Sequence, residues 1–374
     1  GIRILAEFAF KSSSASSRDA SRCLANAMLL ESETRQIFVD LGFQEDACKR
    51  LSSNNKDDQF LMSRILFLTT YNTNIDLEKL INKHNLAENI CDNINKYANH
   101  IGSETSESVM ESVEEMALIE TLKLLFNVTH FCPQEIKKFS PVLKDLLILL
   151  TRWPIIKPRC LDPPVAPLIN AIINLDLGAN FNTLFPLSKP NFFVDHCVKL
   201  LDRSTETYNE NELEQNLTPL IVLLRKINEI APPETQAFLQ NLLLPSIKDR
   251  EQVLGRTKTL PSRLLKLSSN SLVQHLRESI SALLFELSGR DAKKFVRNVG
   301  YGFASGFLCN HNLPISKESL ENLSDDEENM MEDLSTKVNP VTGQLLEKEE
   351  KVGLEDMTEE EREREAEKLF VLFE

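Results

Sequence analysis

The stretch Ile119-Glu-Thr-Leu-Lys-Leu-Leu-Phe-Asn127 decides the fold. Its apolar residues Ile119, Leu122, Leu125 and Phe126 repeat at the i, i+3, i+4 spacing that lines one face of an α-helix. The helix closes on a Leu/Phe-rich turn and a small polar residue, and that phrase recurs along the chain. It stands as Cys23-Leu-Ala-Asn26, Leu66-Phe-Leu-Thr69, Leu124-Leu-Phe-Asn127, Ile172-Ile-Asn174, Leu224-Arg-Lys-Ile-Asn228 and Leu283-Leu-Phe-Glu286. Successive copies lie 43, 58, 47, 54 and 58 residues apart. Armadillo and HEAT units run about 40–47 residues, so these copies read as repeat units lengthened by insertions. No alternating strand pattern interrupts them. The expected fold is all-α: an armadillo/HEAT-like, right-handed superhelical solenoid.

Composition agrees with a helical array. The 374 residues are 42% hydrophobic, more core than one compact domain usually holds. Only 11 are glycine, against a usual share of about 7%, so few tight turns needing positive φ are available. The insertions announce themselves. Lys11 to Ser17 is Ser-rich, Gly102 to Glu111 is polar, and Trp153 to Pro167 carries five prolines that forbid a continuous helix. Pro232-Pro233 ends one helix, and Pro261 suits the first turn of another. Gly1-Ile-Arg-Ile-Leu-Ala6 already reads as mid-helix, so an upstream native start is expected.

The charge is unevenly placed. Between Glu318 and Glu374 there are 20 acidic and 6 basic residues, a net of −14 that equals the charge of the whole chain. The body is therefore balanced, which disfavours generic nucleic-acid binding, because phosphate contacts need a basic surplus. Composition divides the chain into a solenoid over 1–314, an acidic flexible linker over 315–345, and a C-terminal tail over 346–374. In the tail, Thr358-Glu-Glu-Glu361 is a capping box, and Ala366, Leu369, Phe370 and Phe373 form one apolar stripe. No apolar run reaches about 18 residues, so no transmembrane helix is expected.

Motifs for covalent chemistry are missing from the sequence. Seven cysteines, in odd number and without a CxxC pair, read as reduced cytosolic thiols. The six histidines show no metal-ligand spacing, and His130 with Cys132, or His196 with Cys197, are too close along the chain to define a nucleophile and base. Gly300-Tyr-Gly302-Phe-Ala-Ser-Gly306 has neither phosphate-loop spacing, and reads as small residues permitting close helix packing. No cofactor, no metal and no enzymatic activity are expected.

Partner-binding candidates come from the repeated phrase. Asn26, Asn127 and Asn174 end copies of it, where an amide can pair the backbone of a bound segment or cap its own helix; both readings stand on residue chemistry. Arg64, Arg225, Lys226 and Arg277 lie near the same helices and could receive a carboxylate, or simply be solvated surface cations. Ser324 precedes Asp325-Asp-Glu-Glu328, a setting for an acidophilic kinase, where Lys293, Lys294 and Arg297 are candidate anchors for the phosphate.

The closing segment resembles the synembryn family, exchange factors and folding chaperones for heterotrimeric G-protein α subunits. Val338-Asn-Pro-Val-Thr-Gly343, Met357-Thr-Glu-Glu360 and Glu365-Ala-Glu-Lys-Leu-Phe370 carry the resemblance. Lys294-Phe-Val-Arg297, Gly300-Tyr-Gly302, Arg64-Ile-Leu-Phe-Leu-Thr-Thr70 and Leu124-Leu-Phe-Asn127 extend it upstream. The resemblance implies a non-enzymatic guanine-nucleotide exchange factor and chaperone. It would grip the Gα C-terminal helix in a concave groove and stabilise the nucleotide-free state. It also implies a cytoplasmic protein that reaches the plasma membrane through Gα. The alternative is a generic armadillo adaptor for linear peptides.

Overall fold

The computed structural model describes residues 1–11, 14–102, 112–155, 158–313 and 338–349. The first helices are α1 (Ile2–Lys11), α2 (Ser14–Leu30), α3 (Glu33–Asp40), α4 (Gln44–Leu51) and α5 (Lys56–Thr69). Then come α6 (Leu77–Lys83), α7 (Leu86–Gly102) and α8 (Ser112–Phe131), a 3-10 segment (Pro133–Val142), and α9 (Leu143–Arg152). The second half holds α10 (Val165–Ile173), α11 (Phe181–Leu184), α12 (Phe192–Thr207), α13 (Glu210–Ile230) and α14 (Pro233–Leu243). α15 (Leu260–Ser269), α16 (Gln274–Leu287), α17 (Ala292–Val299) and α18 (Tyr301–Asn310) complete the array. Among the described residues the β contact is a single antiparallel bridge, Val338 with Leu345.

The helices start where local chemistry predicts. Asn55 caps α5 by accepting from the Asp58 amide, and Asp291 caps α17 by accepting from the Lys294 amide. Asn209 and Glu212 form a reciprocal capping box at α13. Pro233 and Pro261 occupy first turns, where a missing N–H costs nothing. The proline-rich stretch after Trp153 separates α9 from α10, as its prolines require. The Ser-rich insertion behaves differently: α2 already begins at Ser14, and Ser17 is buried, donating to the Ala9 carbonyl.

Packing makes the solenoid. Every copy of the recurring phrase falls on one of α2, α5, α8, α10, α13 and α16, and each of these helices packs on the next in that order. A second layer, α4, α7, α9, α12 and α15, stacks in step behind it. Short α3, α6, the 3-10 segment, α11 and α14 introduce successive units, giving the three-helix plan of an armadillo array. One continuous core runs from Ala6 to Leu308. In α8, Leu118, Leu122, Leu124, Leu125 and Val128 are all fully buried, and Ile119 and Phe126 stay half-exposed. The sequence reads one apolar face there. The structure buries two, because α8 has α5 on one flank and α10 on the other.

Charged groups tie the first units together. Asp58 accepts from Arg18 Nε at 3.0 Å and Arg50 Nη2 at 2.6 Å. Arg50 also donates to the Ala9 carbonyl at 2.9 Å and to Ser17 Oγ at 2.7 Å, so α1, α2, α4 and α5 meet at one carboxylate. Burial works against the Asp58 charge, but the hydrogen bonds and charges of Arg18 and Arg50 outweigh it. Its pKa is held below the ordinary value.

The other end is closed by a strap, residues 338–349. Val338 to Leu345 turns back on itself, with the Asn339 amide donating to the Gln344 carbonyl at 2.8 Å and the Gly343 amide to the Asn339 carbonyl at 2.9 Å. This turn packs on the junction of α17 and α18. The linker read from composition over 315–345 thus includes residues, 338–345, that are docked on the array. A hydrophobic residue, Leu345, at 6% exposure, anchors them there. Gly300 and Gly302 do permit a close approach, but what approaches is the strap backbone and not a helix: a Cβ at Gly300 would stand 3.0 Å from the Val341 carbonyl oxygen. Ser324, Thr358 and the stripe Ala366 to Phe373 lie outside the described residues.

Asp58→Asn should therefore lower unfolding free energy by about 1.5–3 kcal/mol near neutral pH, the worth of a charge-assisted hydrogen-bond set. Because the folded pKa is depressed, the carboxylate contributes fully above about pH 4, and the contribution vanishes as pH falls through the lower folded value. Urea unfolding of both proteins between pH 2 and 7 measures this. The two curves should converge at the acid end, and a constant gap across the range would contradict the assignment.

Candidate functional site

Two neighbouring helices of the first layer present the same pattern outward. On α5 and just beyond it, Phe60, Arg64, Phe67 and Tyr71 follow i, i+4, i+7, i+11 spacing. On α8, Ile119, Lys123, Phe126 and His130 do the same. These side chains are half-buried or exposed, although they sit on helices whose other faces are core. The guanidinium of Arg64 lies 5.8 Å from the Phe60 ring centre, and Lys123 Nζ lies 5.8 Å from that of Phe67. Tyr71 meets Phe67 edge-on at 5.2 Å, and His130 stacks on Phe126 at 6.0 Å. The result is a ridge of aromatic faces interleaved with cations, a surface suited to amphipathic helices and carboxylates.

The cations are held from below. Arg64 Nη1 and Lys123 Nζ reach the same Glu120 oxygen at 3.3 and 2.9 Å, and the Glu120 side chain is only 6% exposed. One nearly buried carboxylate thus fixes two half-exposed cations, leaving a net positive charge at the surface. Farther along, Arg225 grips Glu286 with Nε at 3.1 Å and Nη2 at 2.7 Å, a fork joining α13 to α16.

The sequence-derived candidates divide into two groups. Asn127, 4% exposed, donates to Thr70 Oγ1 at 2.7 Å, tying α8 to the end of α5. Asn174 donates to the Phe126 carbonyl at 3.1 Å, tying α10 to α8. Lys226 Nζ donates to the Ile173 carbonyl at 2.7 Å, at the C-terminal end of α10, where unpaired carbonyls and the helix dipole both favour a cation. With Arg64 and Arg225, these residues knit each rung to its neighbour. Asn26 is exposed near the end of α2, and Arg277 is half-buried on α16; neither joins these pairs. The residues missed at the sequence level are Glu120, Lys123, Phe60, Phe67 and Tyr71. Glu120 and Lys123 were visible as an i, i+3 pair inside the deciding stretch; their sharing of Arg64 depends on how α5 stacks on α8.

The last rungs form a cleft of about 290 Å³ between α13, α14 and α16, lined by Asn228, Glu286 and Arg290 among others. Gln236 and Gln240 brace it by donating to the Asn228 and Leu287 carbonyls at 3.0 and 2.8 Å. Three of the thiols are made poor nucleophiles by burial, which pushes Cys48 and Cys91 up to about 12 and Cys132 up to about 11. All seven cysteines are free.

Residues 1–374 match the family described as guanine nucleotide exchange factor synembryn. The chain is 24% identical to the "Chaperone Ric-8A" of Xenopus tropicalis, over 95% of its own length and 70% of that relative. It is 27% identical to the "Synembryn-like chaperone" of Schizosaccharomyces pombe, over 69% of its own length and 51% of that one. A designed armadillo repeat protein superposes on 76% of the chain and 100% of its own, at 12% identity and a TM-score of 0.45.

The rung-to-rung pairs make a ranked stability test. Arg225→Ala strands the Glu286 carboxylate and should cost about 1.5–3 kcal/mol; Asn127→Ala removes a buried neutral bond and should cost about 1 kcal/mol. Asn26→Ala, on exposed surface, should stay within about 0.5 kcal/mol of the parent. Denaturant midpoints report the order. Equal losses at all three positions would mean that cross-rung bonds do not hold the layer.

Proposed function

The chain belongs to the synembryn family of guanine nucleotide exchange factors, and from that premise we propose that it binds the C-terminal helix of a heterotrimeric G-protein α subunit along the α5–α8–α10–α13 layer. The observation that carries this reading is the aromatic–cationic ridge of Phe60, Arg64, Phe67, Tyr71, Lys123 and Phe126. An amphipathic helix can lay its apolar side on the rings while its terminal carboxylate meets the cations. Those cations are already positioned by Glu120, so binding spends little side-chain entropy on ordering them.

The exchange mechanism requires no bond to be made or broken by this protein. In Gα the C-terminal helix packs against the nucleotide-binding core, so holding it on the array loosens the nucleotide. By linkage, bound GDP weakens the complex by the same factor, and GTP rebinding expels the partner. The same grip on a nucleotide-free, loosely packed α subunit acts as a chaperone. Modification of Ser324 by an acidophilic kinase is part of the proposal, as a modest tightening of activity. No described helix is long and apolar enough to cross a membrane; we assign a cytoplasmic location with access to the membrane through Gα.

GDP release from purified Gα subunits, with and without the chain, tests the reading. Release should accelerate for at least one Gα class, and full-length Gα should bind more tightly than its isolated C-terminal peptide. Arg64→Ala and Lys123→Ala should each weaken binding by about 1.5–3 kcal/mol, roughly tenfold to a hundredfold in Kd. Unchanged release across a panel of Gα classes would overturn the exchange reading. Equal affinity for the peptide and the intact subunit would favour an adaptor of linear peptides.

A further inference from the structure

The strap is held to the array through its main chain, in a manner that resembles a ligand in a site. Helix α18 starts at Gly300, which has no side chain to cap it. The unpaired amides of Tyr301 and Gly302 donate instead to the Pro340 and Val341 carbonyls, at 2.8 and 3.2 Å. The next carbonyl, Thr342, accepts from the Leu254 amide at 3.2 Å, and the next, Gly343, from Arg250 Nη1 at 3.1 Å. Four consecutive carbonyls are therefore taken by the array. The Leu345 amide donates back to the Arg250 carbonyl at 2.8 Å.

Arg250 is the centre of this arrangement. Its side chain is buried, and its other guanidinium arm donates to the Arg297 and Asn298 carbonyls at 3.1 and 2.9 Å, the last turn of α17. A buried guanidinium that gives its hydrogen bonds to carbonyls, beside the positive end of a helix, is a site for carbonyl-rich backbone. The strap suits it because its own amides are spoken for. Asn339 Oδ1 accepts from the Val341 and Thr342 amides at 2.8 and 3.2 Å, the Asn339 carbonyl accepts from Gly343, and Pro340 has no amide to satisfy. The turn thus presents acceptors on one side only. Selection is steric as well: Gly343 has φ +67°, and a Cβ there would run into the buried Leu254 side chain.

We propose that the end of the array, formed by Arg250, Leu254 and the amino end of α18, is a peptide-binding site. Its ligand class is a pre-formed Asn-Pro-x-x-Gly turn followed by an anchoring Leu, and residues 339–345 of this chain are its resident ligand. The site holds that ligand without help from the covalent connection through residues 314–337. It also admits the same peptide supplied from outside.

The test uses the full chain with a protease recognition sequence inserted after Glu328. After cleavage, the C-terminal fragment should co-elute with the array in size-exclusion chromatography, and an excess of a synthetic peptide spanning residues 337–349 should release it. In Gly343→Val the substitution lies in the ligand and leaves the site's own residues unchanged. There the cut fragment should separate, while helical circular dichroism and the melting temperature of the array persist. Arg250→Ala should give the same separation. Separation of the wild-type fragment on cleavage, retention of the Gly343→Val fragment, or indifference to excess peptide would each overturn the proposal.

Discussion

Everything in this protein depends on the stacking of rung upon rung in the layer α2, α5, α8, α10, α13 and α16. No unit can bury its own apolar surface, so each helix of the layer is buried by its neighbours on both flanks. That constraint forces the polar residues of these helices to find partners across the rungs. Ser63 and Thr121 share a hydrogen bond at 2.9 Å, Asn127 reaches Thr70, and Arg225 reaches Glu286. Each such bond satisfies a group that would otherwise be stranded in the core, where an unmade bond costs more than a made one contributes. The cross-rung bonds consequently fix the register of the stack as much as its stability.

The same constraint shapes the outward face. Only a narrow stripe of each layer helix escapes burial, and on α5 and α8 that stripe carries aromatic rings and cations. Arg64 and Lys123 are not free to wander, because Glu120 holds both from beneath. A partner carboxylate would meet cations already in place. The arrangement pairs charge without cancelling it, since two positive groups share one negative one.

The strap shows how distant motifs become one object. Gly300-Tyr-Gly302 and Val338-Asn-Pro-Val-Thr-Gly343 both stand out in the sequence, and their separation gives no hint that they touch. In the structure each explains the other. A helix that begins with glycine needs foreign carbonyls for its first amides, and a turn that satisfies its own amides has carbonyls to offer. Arg250 then binds α17 and the strap from a position that carries no recognisable motif.

The sequence by itself determined the helical class, the repeat phrase and its placement on one set of helices, because hydrophobic periodicity and turn residues act locally. It also marked Pro261 as the first turn of a helix, since a fixed φ and a missing N–H act within a turn. The roles of Asn127 and Asn174 were open between capping and groove; both turn out to bond the preceding rung, which depends on the distance between stacked helices. Arg225 and Lys226 are adjacent in sequence yet face opposite rungs, one toward α16 and the other toward α10. The docking of residues 338–345, which composition assigns to linker, was decided only in three dimensions. Linker composition measures how little apolar area a segment can bury alone, and it is blind to a site elsewhere in the chain that satisfies the segment's backbone.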